Sequence, residues 1–374
     1  MLYGLVLIAG LYALFTLGMT LLWHSARRPG AASTGSRTRI SVLIPVRNEE
    51  ETLPRLLADL ARQSYPANLF EVIVADDFST DRTAERAERF AASAPFALRL
   101  LTLPDERTAA PKKRALAASI TRASGDLIVT TDGDCRVGPH WLARIAAFYE
   151  ETGARLISGP VTFTDEAQFF DYLQTVESSS LIGSGACTLA LGIPTMCNGA
   201  NLAYEKRVFA EVGGFTGVDH VASGDDELLM HKIARRYPDG VRFLKHPDAI
   251  VQTGPHRSLS AFYHQRKRWA SKWRAYESLL PSLLAVFVFA ANAVVPAALL
   301  GWAFGAWSGA AALGLLLAKN VPEWLFLGSV LVFLQKRKAV PYILPTQLFY
   351  PFYVLFFGLA AQKKGFRWKG RDLN

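Results

Sequence analysis

Three acidic clusters each follow an apolar run in this 374-residue chain: Asp76-Asp77, Asp132-Gly133-Asp134 and Asp225-Asp226. A basic and aromatic run, Gln265-Arg266-Lys267-Arg268-Trp269, comes after them. Carboxylates at strand ends are oxygen ligands of the kind a hard divalent cation such as Mg²⁺ or Mn²⁺ takes, the rest of its shell going to water and phosphate. In extended chain, residues two apart face the same side, so Asp132 and Asp134 can share one site, while Gly133 lets the backbone approach a ligand. Adjacent negative charge at Asp225-Asp226 raises one carboxyl toward the range of a general base. Arg266 and Arg268 could neutralise a diphosphate, and the Trp269 face could stack on a sugar or base.

Each piece has a plainer reading as well. A lone Asp-Gly-Asp is also an acidic turn closed by Asx hydrogen bonds. Asp76 or Asp77 could complement the dipole of a helix starting near Ser79-Thr80-Asp81, which leaves the other carboxylate for a base or ribose hydroxyl. Asp225-Asp226-Glu227 could be a solvated helix start. The basic run doubles as an interfacial amphipathic helix with Trp269, Trp273 and Tyr276 at headgroup level.

What favours the chemical reading is the scaffold that the rhythm of the sequence predicts. Ile40 to Ile44, Glu71 to Ala75, Leu98 to Leu103 and Asp126 to Thr130 read as buried strands. Glu50 to Gln63, Asp81 to Ala92, Lys112 to Ala123 and His140 to Tyr149 read as amphipathic helices between or after them. Such alternation specifies an α/β fold with a mainly parallel sheet and helices on both faces. Ligands then sit beyond the carboxyl ends of the strands, where Pro45 to Glu50, Asp76-Asp77 and Asp132 to Asp134 all fall.

Membrane-length apolar segments bracket this region. Leu2 to Trp23 carries no charge and has no basic residue before it, so it reads as an uncleaved anchor rather than a secretory signal. Arg27, Arg28, Arg37 and Arg39 follow closely, which by the positive-inside rule predicts a cytoplasmic location for the next domain. Further apolar runs at Leu279 to Trp302, Ala303 to Leu334 and Val340 to Ala361 can span or embed. Lys319 and Glu323 interrupt the middle one at the i, i+4 spacing of a helical pair, or else lie at the interface of a shorter helix. Pro341, Pro345 and Pro351 suggest a broken last segment, and basic groups on both its sides fit a re-entrant path as well as a crossing. The expected organisation is an anchor at 1–23, a basic linker at 24–39, a cytoplasmic α/β domain at 40–254, an interfacial segment at 255–278, about three membrane helices at 279–362 and a basic tail at 363–374.

The chain holds 41 Lys and Arg against 32 Asp and Glu, a net +9. The basic residues crowd beside hydrophobic segments instead of forming one polar stripe, which points to anionic headgroups and away from nucleic acid. Cys135, Cys187 and Cys197 lack metal-type spacing and read as small buried hydrophobes. No GxxxxGK[ST] loop is present to cradle the phosphates of an ATPase, and a transporter would need more spans with clustered midplane charges.

The motifs IPVRNEE (Ile44 to Glu50), ADDFSTD (Ala75 to Asp81), TDGD (Thr131 to Asp134), NGANLAY (Asn198 to Tyr204), GGF (Gly213 to Phe215), SGDDELL and QRKRW occur in the order found in family-two glycosyltransferases, and the chain resembles that family from about Ile40 to Arg274. The resemblance implies the GT-A nucleotide-diphospho-sugar transferase fold, a mainly parallel mixed sheet flanked by helices, here with α-helical transmembrane segments at both ends. It also implies an inverting, metal-dependent hexosyl transfer. The membrane layout and QRKRW resemble the branch with ceramide glucosyltransferase-like, hopanoid and carotenoid enzymes and with cellulose and hyaluronan synthases.

Carried over by residue, the resemblance implies that Pro45, Arg47, Asn48, Glu49, Asp77 and Asn201 bind the nucleotide-sugar. Asp132 and Asp134 would serve ribose, phosphate and metal. Asp226, beside Asp225, would be the base, and Gln265, Arg266, Arg268 and Trp269 would border diphosphate and acceptor. Lys112 falls where the family has GKxxAL, with Pro111 replacing the Gly. The expectation is transfer of one sugar, UDP-linked by preference, to a lipid-like acceptor in a bacterial inner (cell) membrane. A processive polysaccharide synthase is the nearest alternative, and a non-catalytic membrane scaffold the alternative from another class.

Overall fold

A computed structural model describes residues 1–26, 30, 36–105, 108–164, 166–271, 280–360, 366–368 and 371–373. Arg27 and Arg28 of the linker, Trp273 and Tyr276 of the basic-aromatic stretch and Lys363 of the tail lie outside the described residues. The chain opens with helix α1 (Leu2–Ser25). Then β1 (Ile40–Val46), α2 (Leu53–Leu60), β2 (Phe70–Asp76), α3 (Thr83–Ala91), β3 (Ala97–Thr102), α4 (Pro111–Arg122) and β4 (Leu127–Thr130) alternate close to where the apolar rhythm puts them. There follow β5 (Arg136–Val137), α5 (Trp141–Thr152), β6 (Leu156–Ser158), β7 (Val161–Phe163), α6 (Phe169–Ala190), β8 (Leu202–Glu205), α7 (Lys206–Glu211), α8 (Glu227–Arg236), β9 (Val241–Phe243) and β10 (Val251–Thr253). The chain ends with α9 (Leu259–Ser271), α10 (Leu280–Ala303), α11 (Gly309–Phe333), α12 (Ile343–Ala360) and the antiparallel pair β11 (Phe366–Trp368) and β12 (Arg371–Leu373).

These elements form two compact units, and each is built on its own core. One comprises Arg27–Asp165, Thr188–Pro255 and Gly365–Asn374; the other comprises Met1–Ala26, Glu166–Cys187 and His256–Lys364. Most of α6 therefore belongs with the apolar helices, although its sequence lies within the α/β stretch.

The α/β unit has a seven-stranded sheet in the order β3-β2-β1-β4-β8-β6-β9. Strand β1 pairs in parallel with β2 and β4, and only β8 runs against its neighbours β4 and β6. Strands β1 and β2 are buried along nearly their whole length, which is why they read as unbroken apolar runs. Edge strand β3 alternates instead. In α2 the buried positions Leu53, Leu56, Leu57 and Leu60 form a stripe at helical spacing. From β1 the chain proceeds outward to β2 and β3, then returns to the other side of β1 for β4. That reversal opens a crevice at the carboxyl ends of β1 and β4, where the IPVRNEE and TDGD segments emerge.

In the helical unit, α1 packs on α11 and α10 through Ala9, Val294, Ala298 and Leu315. Among the described residues, four helical segments are long and apolar enough to cross a membrane: Leu2–Ser25, Ser282–Ala303, Gly309–Phe333 and Arg337–Phe357. The expected break in the last segment falls before α12, in a 3₁₀ turn over Arg337–Tyr342. Helix α12 then continues through Pro351. Pro345 lies in its first turn, where a missing N–H costs no helical bond.

Lys319 and Glu323 do pair, at 2.6 Å, and Lys319 is 0% exposed. Glu323 also accepts from the Tyr12 hydroxyl at 3.1 Å and from Gln347 Nε2 at 3.1 Å, so three helices converge on one carboxylate. Breaking a buried pair on one side strands a charge, whereas replacing both partners does not. Lys319→Leu is therefore expected to destabilise the detergent-solubilised protein by about 3–5 kcal/mol. The Lys319→Leu/Glu323→Leu double variant should recover most of that loss in thermal unfolding, and a double variant worse than the single would contradict the account.

Candidate active site

The first turn of α4 is the hub of the α/β unit's acidic clusters. Lys112 Nζ lies 2.8 Å from Asp132 Oδ1 and 3.1 Å from Asp225 Oδ2, so one half-buried ammonium ties the end of β4 to the start of α8. Burial opposes its charge, but Asp132 and Asp225 outweigh that and hold it well above the ordinary ammonium range. Lys113 Nζ donates to the carbonyls of Val218, Val221 and Ser223 at 2.6, 2.8 and 3.0 Å, latching the loop that delivers Asp225 and Asp226. Arg114 Nη2 reaches Asp77 Oδ1 at 2.5 Å and the Pro104 carbonyl at 3.0 Å. Lys113 and Arg114 were not expected in the site. Their signal was present, because three cations in a row at a helix N-terminus oppose the dipole and call for acids facing them.

The loops after β1 and β2 are laced together. Arg47 Nη1 donates to the carbonyls of Asp77 and Phe78 at 2.6 and 2.8 Å. Asn48 adopts φ 53° and accepts from Thr80 N at 2.8 Å, while its own N–H donates to Ser79 Oγ at 2.9 Å. Glu49 N donates to Thr83 Oγ1 at 2.7 Å, and its carboxylate accepts from Thr52. Asp76 closes the turn by accepting from Ser79, and burial raises its pKa. Pro45 pairs with Ala75 in register, so it remains within the sheet at the crevice floor.

The Asp-Gly-Asp segment is a turn, not extended chain: Cys135 N donates to the Asp132 carbonyl at 3.1 Å. Its carboxylates still converge, with oxygens of Asp132 and Asp134 and the Cys135 sulfur within 4.8 Å of one another. A Cβ at Gly133 would stand 2.8 Å from Val46 Cγ1, so glycine is required there by the approach of the turn to β1. Burial and then Asp132 push the Asp134 carboxyl up to about 6, while the residue as a whole remains exposed. The Cys135 thiol is pushed well above its usual range by burial and by these acids, so it stays protonated. Two carboxylates beside a neutral thiol fit a hard, oxygen-preferring divalent cation rather than a thiophilic one. Downstream, Arg136 grips Asp59 on α2 through Nε at 2.5 Å and Nη2 at 2.9 Å, which fixes the exit of the turn.

Asp226 caps α8. It accepts from Glu227 N at 2.7 Å with one oxygen and from Gly199 N at 2.9 Å with the other. A Cβ on Gly199 would meet Asp225 Oδ2 at 2.9 Å and Lys112 Nζ at 3.2 Å, so glycine is required for the Asn198-Gly199 loop to pass this close. Tyr204 is 1% exposed, and its hydroxyl has no hydrogen-bond partner among the described residues; burial and Asp225 raise its pKa.

Asn201, expected at the nucleotide-sugar, is instead a buried brace. Its Nδ2 donates to Pro160 O and Ala249 O at 2.8 Å each, and its Oδ1 accepts from Trp141 Nε1 at 3.0 Å. The side chain is thereby committed to protein.

Gln265, Arg266, Arg268 and Trp269 lie on α9 in the helical unit. Arg266 is buried. It is bound to both Glu177 oxygens and to the Tyr353 hydroxyl at 3.0 Å, and its remaining nitrogen donates to Gln265. Its guanidinium carbon stands 4.5 Å from the Phe262 ring centre and 4.3 Å from that of Trp269. Held in this way, Arg266 clamps α6, α9 and α12 together, a structural role besides the one expected of it. Gln265, Arg268 and Trp269 are half-buried.

A mainly parallel mixed sheet with carboxylates clustered beyond its strand ends defines the GT-A nucleotide-diphospho-sugar transferase class of fold. A mannosyltransferase, PcManGT from Pyrobaculum calidifontis, solved in complex with GDP-Man and Mn²⁺, shares that fold at TM-score 0.58 and 22% identity, over 93% of this chain and 98% of that one. Residues 41–213 match the Glycosyl transferase family 2 model. The chain is 30% identical over 192 residues to glycosyltransferase AglE of Haloferax volcanii, which covers 50% of this chain and 58% of that protein. It is 25% identical over 273 residues to the beta-monoglucosyldiacylglycerol synthase of a Nostoc species, covering 71% of this chain and 54% of that one. The chain thus spans little more than half the length of these curated relatives.

Two outcomes follow from the site. A cation binding at Asp134 must displace a proton below pH about 6 and not well above it. Calorimetric titration of Mn²⁺ in buffers of different ionisation enthalpy should show tighter binding and less proton release as pH rises through that value; flat behaviour would count against the ligand set. Asn201→Ala leaves one indole donor and two carbonyls unpaired, at about 1–3 kcal/mol each. It should lower the unfolding temperature while the folded fraction keeps its nucleotide affinity.

Proposed function

We propose that the protein is an inverting transferase that moves one sugar from a nucleotide-diphospho-sugar, a UDP-sugar by preference, to a hydroxyl of a membrane lipid. The observation that carries the proposal is the Lys112 junction: Asp132 and Asp225 share one cation, with Asp134 and Asp226 beside them; Lys112, Asp132 and Asp134 fall within the stretch 41–213 that matches the Glycosyl transferase family 2 model, and Asp225 and Asp226 follow it. The lipid acceptor is supported by four membrane-length helices and by a relative whose product is a glucosyldiacylglycerol.

In this reading the loops after β1 and β2 receive the nucleoside, with Arg47 and Asn48 holding them in shape and Asp77, anchored by Arg114, facing base or ribose. Asp132 and Asp134 would hold a divalent cation. Bound there, the cation supplies positive charge to the diphosphate as the bond to the sugar breaks. Asp226 takes the proton of the acceptor hydroxyl, which attacks the anomeric carbon from the face opposite the leaving group, and the configuration inverts. Its two backbone hydrogen bonds, from Glu227 and Gly199, fix where that proton is received. Gln265, Arg268 and Trp269 border the diphosphate and acceptor. We further propose that the α/β unit faces the cytoplasm at a bacterial inner membrane, as the basic residues after the first span require.

Asp226→Asn tests the assignment of the base. An amide can accept from only one of the two N–H groups that Asp226 now serves, so the variant should also lose about 1 kcal/mol of stability. Turnover per folded molecule should drop about 10²- to 10⁴-fold, the usual share of a positioned base. Mass analysis of lipids after incubation with a panel of nucleotide-sugars measures it, and near-normal transfer by the folded variant would refute the role.

A further inference from the structure

Helices α6, α9 and α12 enclose a cavity of about 370 Å³ in the helical unit. That volume is within the range of roughly 300–1,000 Å³ typical of small-molecule sites. Its wall is aromatic and aliphatic, with Leu173, Phe262, Phe349 and Tyr353 among the lining residues. Apart from tyrosine hydroxyls, the polar side chains on the wall already hold protein partners. Gln174 exchanges two hydrogen bonds with the His256 backbone at 2.9 and 3.0 Å, Glu177 serves Arg266 and Tyr353, and Thr346 donates to the Tyr342 carbonyl at 2.7 Å. Hydrocarbon would disturb none of these bonds and needs no polar partner of its own.

The burial of the lining residues gives the cavity a direction. Its floor is closed, with Phe262 at 9% exposure and Gln174 at 1%, while Phe349 and Phe356 on α12 are more than half exposed. An exposed aromatic rim on a helix long and apolar enough to span a bilayer opens toward lipid chains. Helix α9 carries both part of this wall and the residues proposed above to border diphosphate and acceptor. Phe262 and Tyr263 line the cavity, and Gln265, Arg268 and Trp269 follow within two turns. The Arg266 clamp to Glu177 holds that stretch rigid at the cavity wall.

We propose that this cavity binds a hydrocarbon chain of the lipid acceptor, so that α9 seats the chain with one turn and presents the headgroup with the next. The proposal rests on the lipid-acceptor reading above and adds the place and chemistry of recognition. The full-length protein in nanodiscs is probed with a diacylglycerol carrying a diazirine in one acyl chain, and separately given nucleotide-sugar with a total lipid extract of the expressing cells. Leu173→Trp and Thr346→Phe fill the space from opposite walls. Leu325→Trp, on the exposed face of α11, serves as the control for added bulk.

Photolabel is expected on peptides containing Leu173 and Tyr353 in the parent protein. Both filling variants should reduce the label and the yield of lipid-linked sugar by at least about tenfold, the scale on which hydrophobic pockets discriminate. The control should change neither. Label that is absent, or indifferent to both filling variants, overturns the site. Label that is displaced while transfer continues undiminished shows a structural lipid and overturns the acceptor role. Label that behaves as expected in a protein that glycosylates no lipid from any donor overturns the acceptor reading while leaving a hydrocarbon site.

Discussion

A half-buried ammonium between two carboxylates is the contact on which the α/β unit's geometry depends. Lys112 stands at the N-terminus of α4, where the helix dipole disfavours a cation. It is tolerated there because Asp132 and Asp225 lie within 3.1 Å of it. Without Lys112, the carboxylates it joins would face one another with like charge. Residues from three separate stretches are thus held at one point by electrostatics that none of them could sustain alone. Lys113 and Arg114 extend the arrangement to the loop before Asp225 and to Asp77.

Steric constraints sharpen what the charges begin. Gly133 and Gly199 are required by the approach of protein atoms: Val46 to the first, Asp225 and Lys112 to the second. A methyl group at Gly199 would push the Asn198-Gly199 loop off Asp226 and cost the carboxylate one of its two backbone donors. Asn201, two residues further on, pins that loop from behind through Pro160, Ala249 and Trp141. These contacts place the site's carboxylates through protein partners alone, the kind of preorganisation on which electrostatic catalysis relies.

The helical unit handles its buried charges by a similar rule. Lys319 with Glu323, and Arg266 with Glu177, are ion pairs in apolar surroundings, and in each the carboxylate takes further bonds from side chains including a tyrosine. Satisfying the remaining lone pairs is what makes such pairs tolerable away from water. One pair fixes α1, α11 and α12 relative to one another; the other joins α6, α9 and α12 beside the apolar cavity.

Local sequence decided the strands, the helices and the parallel sheet, because unbroken apolar runs and helical stripes carry their periodicity within a few residues. It also decided which segments emerge at the carboxyl ends of β1, β2 and β4, and the i, i+4 spacing of Lys319 and Glu323 was enough to foretell their pairing. Which carboxylate meets which cation was decided only in three dimensions. Asp132 and Asp225 are far apart in sequence, and nothing near either one names Lys112 as the partner. The same holds for Asn201 and Arg266: a ligand-binding role and a bracing role require the same side chain in the same motif. Only the neighbours that folding brings from Pro160, Ala249 and Glu177 tell the two apart, because a hydrogen bond already spent on the protein is unavailable to a substrate.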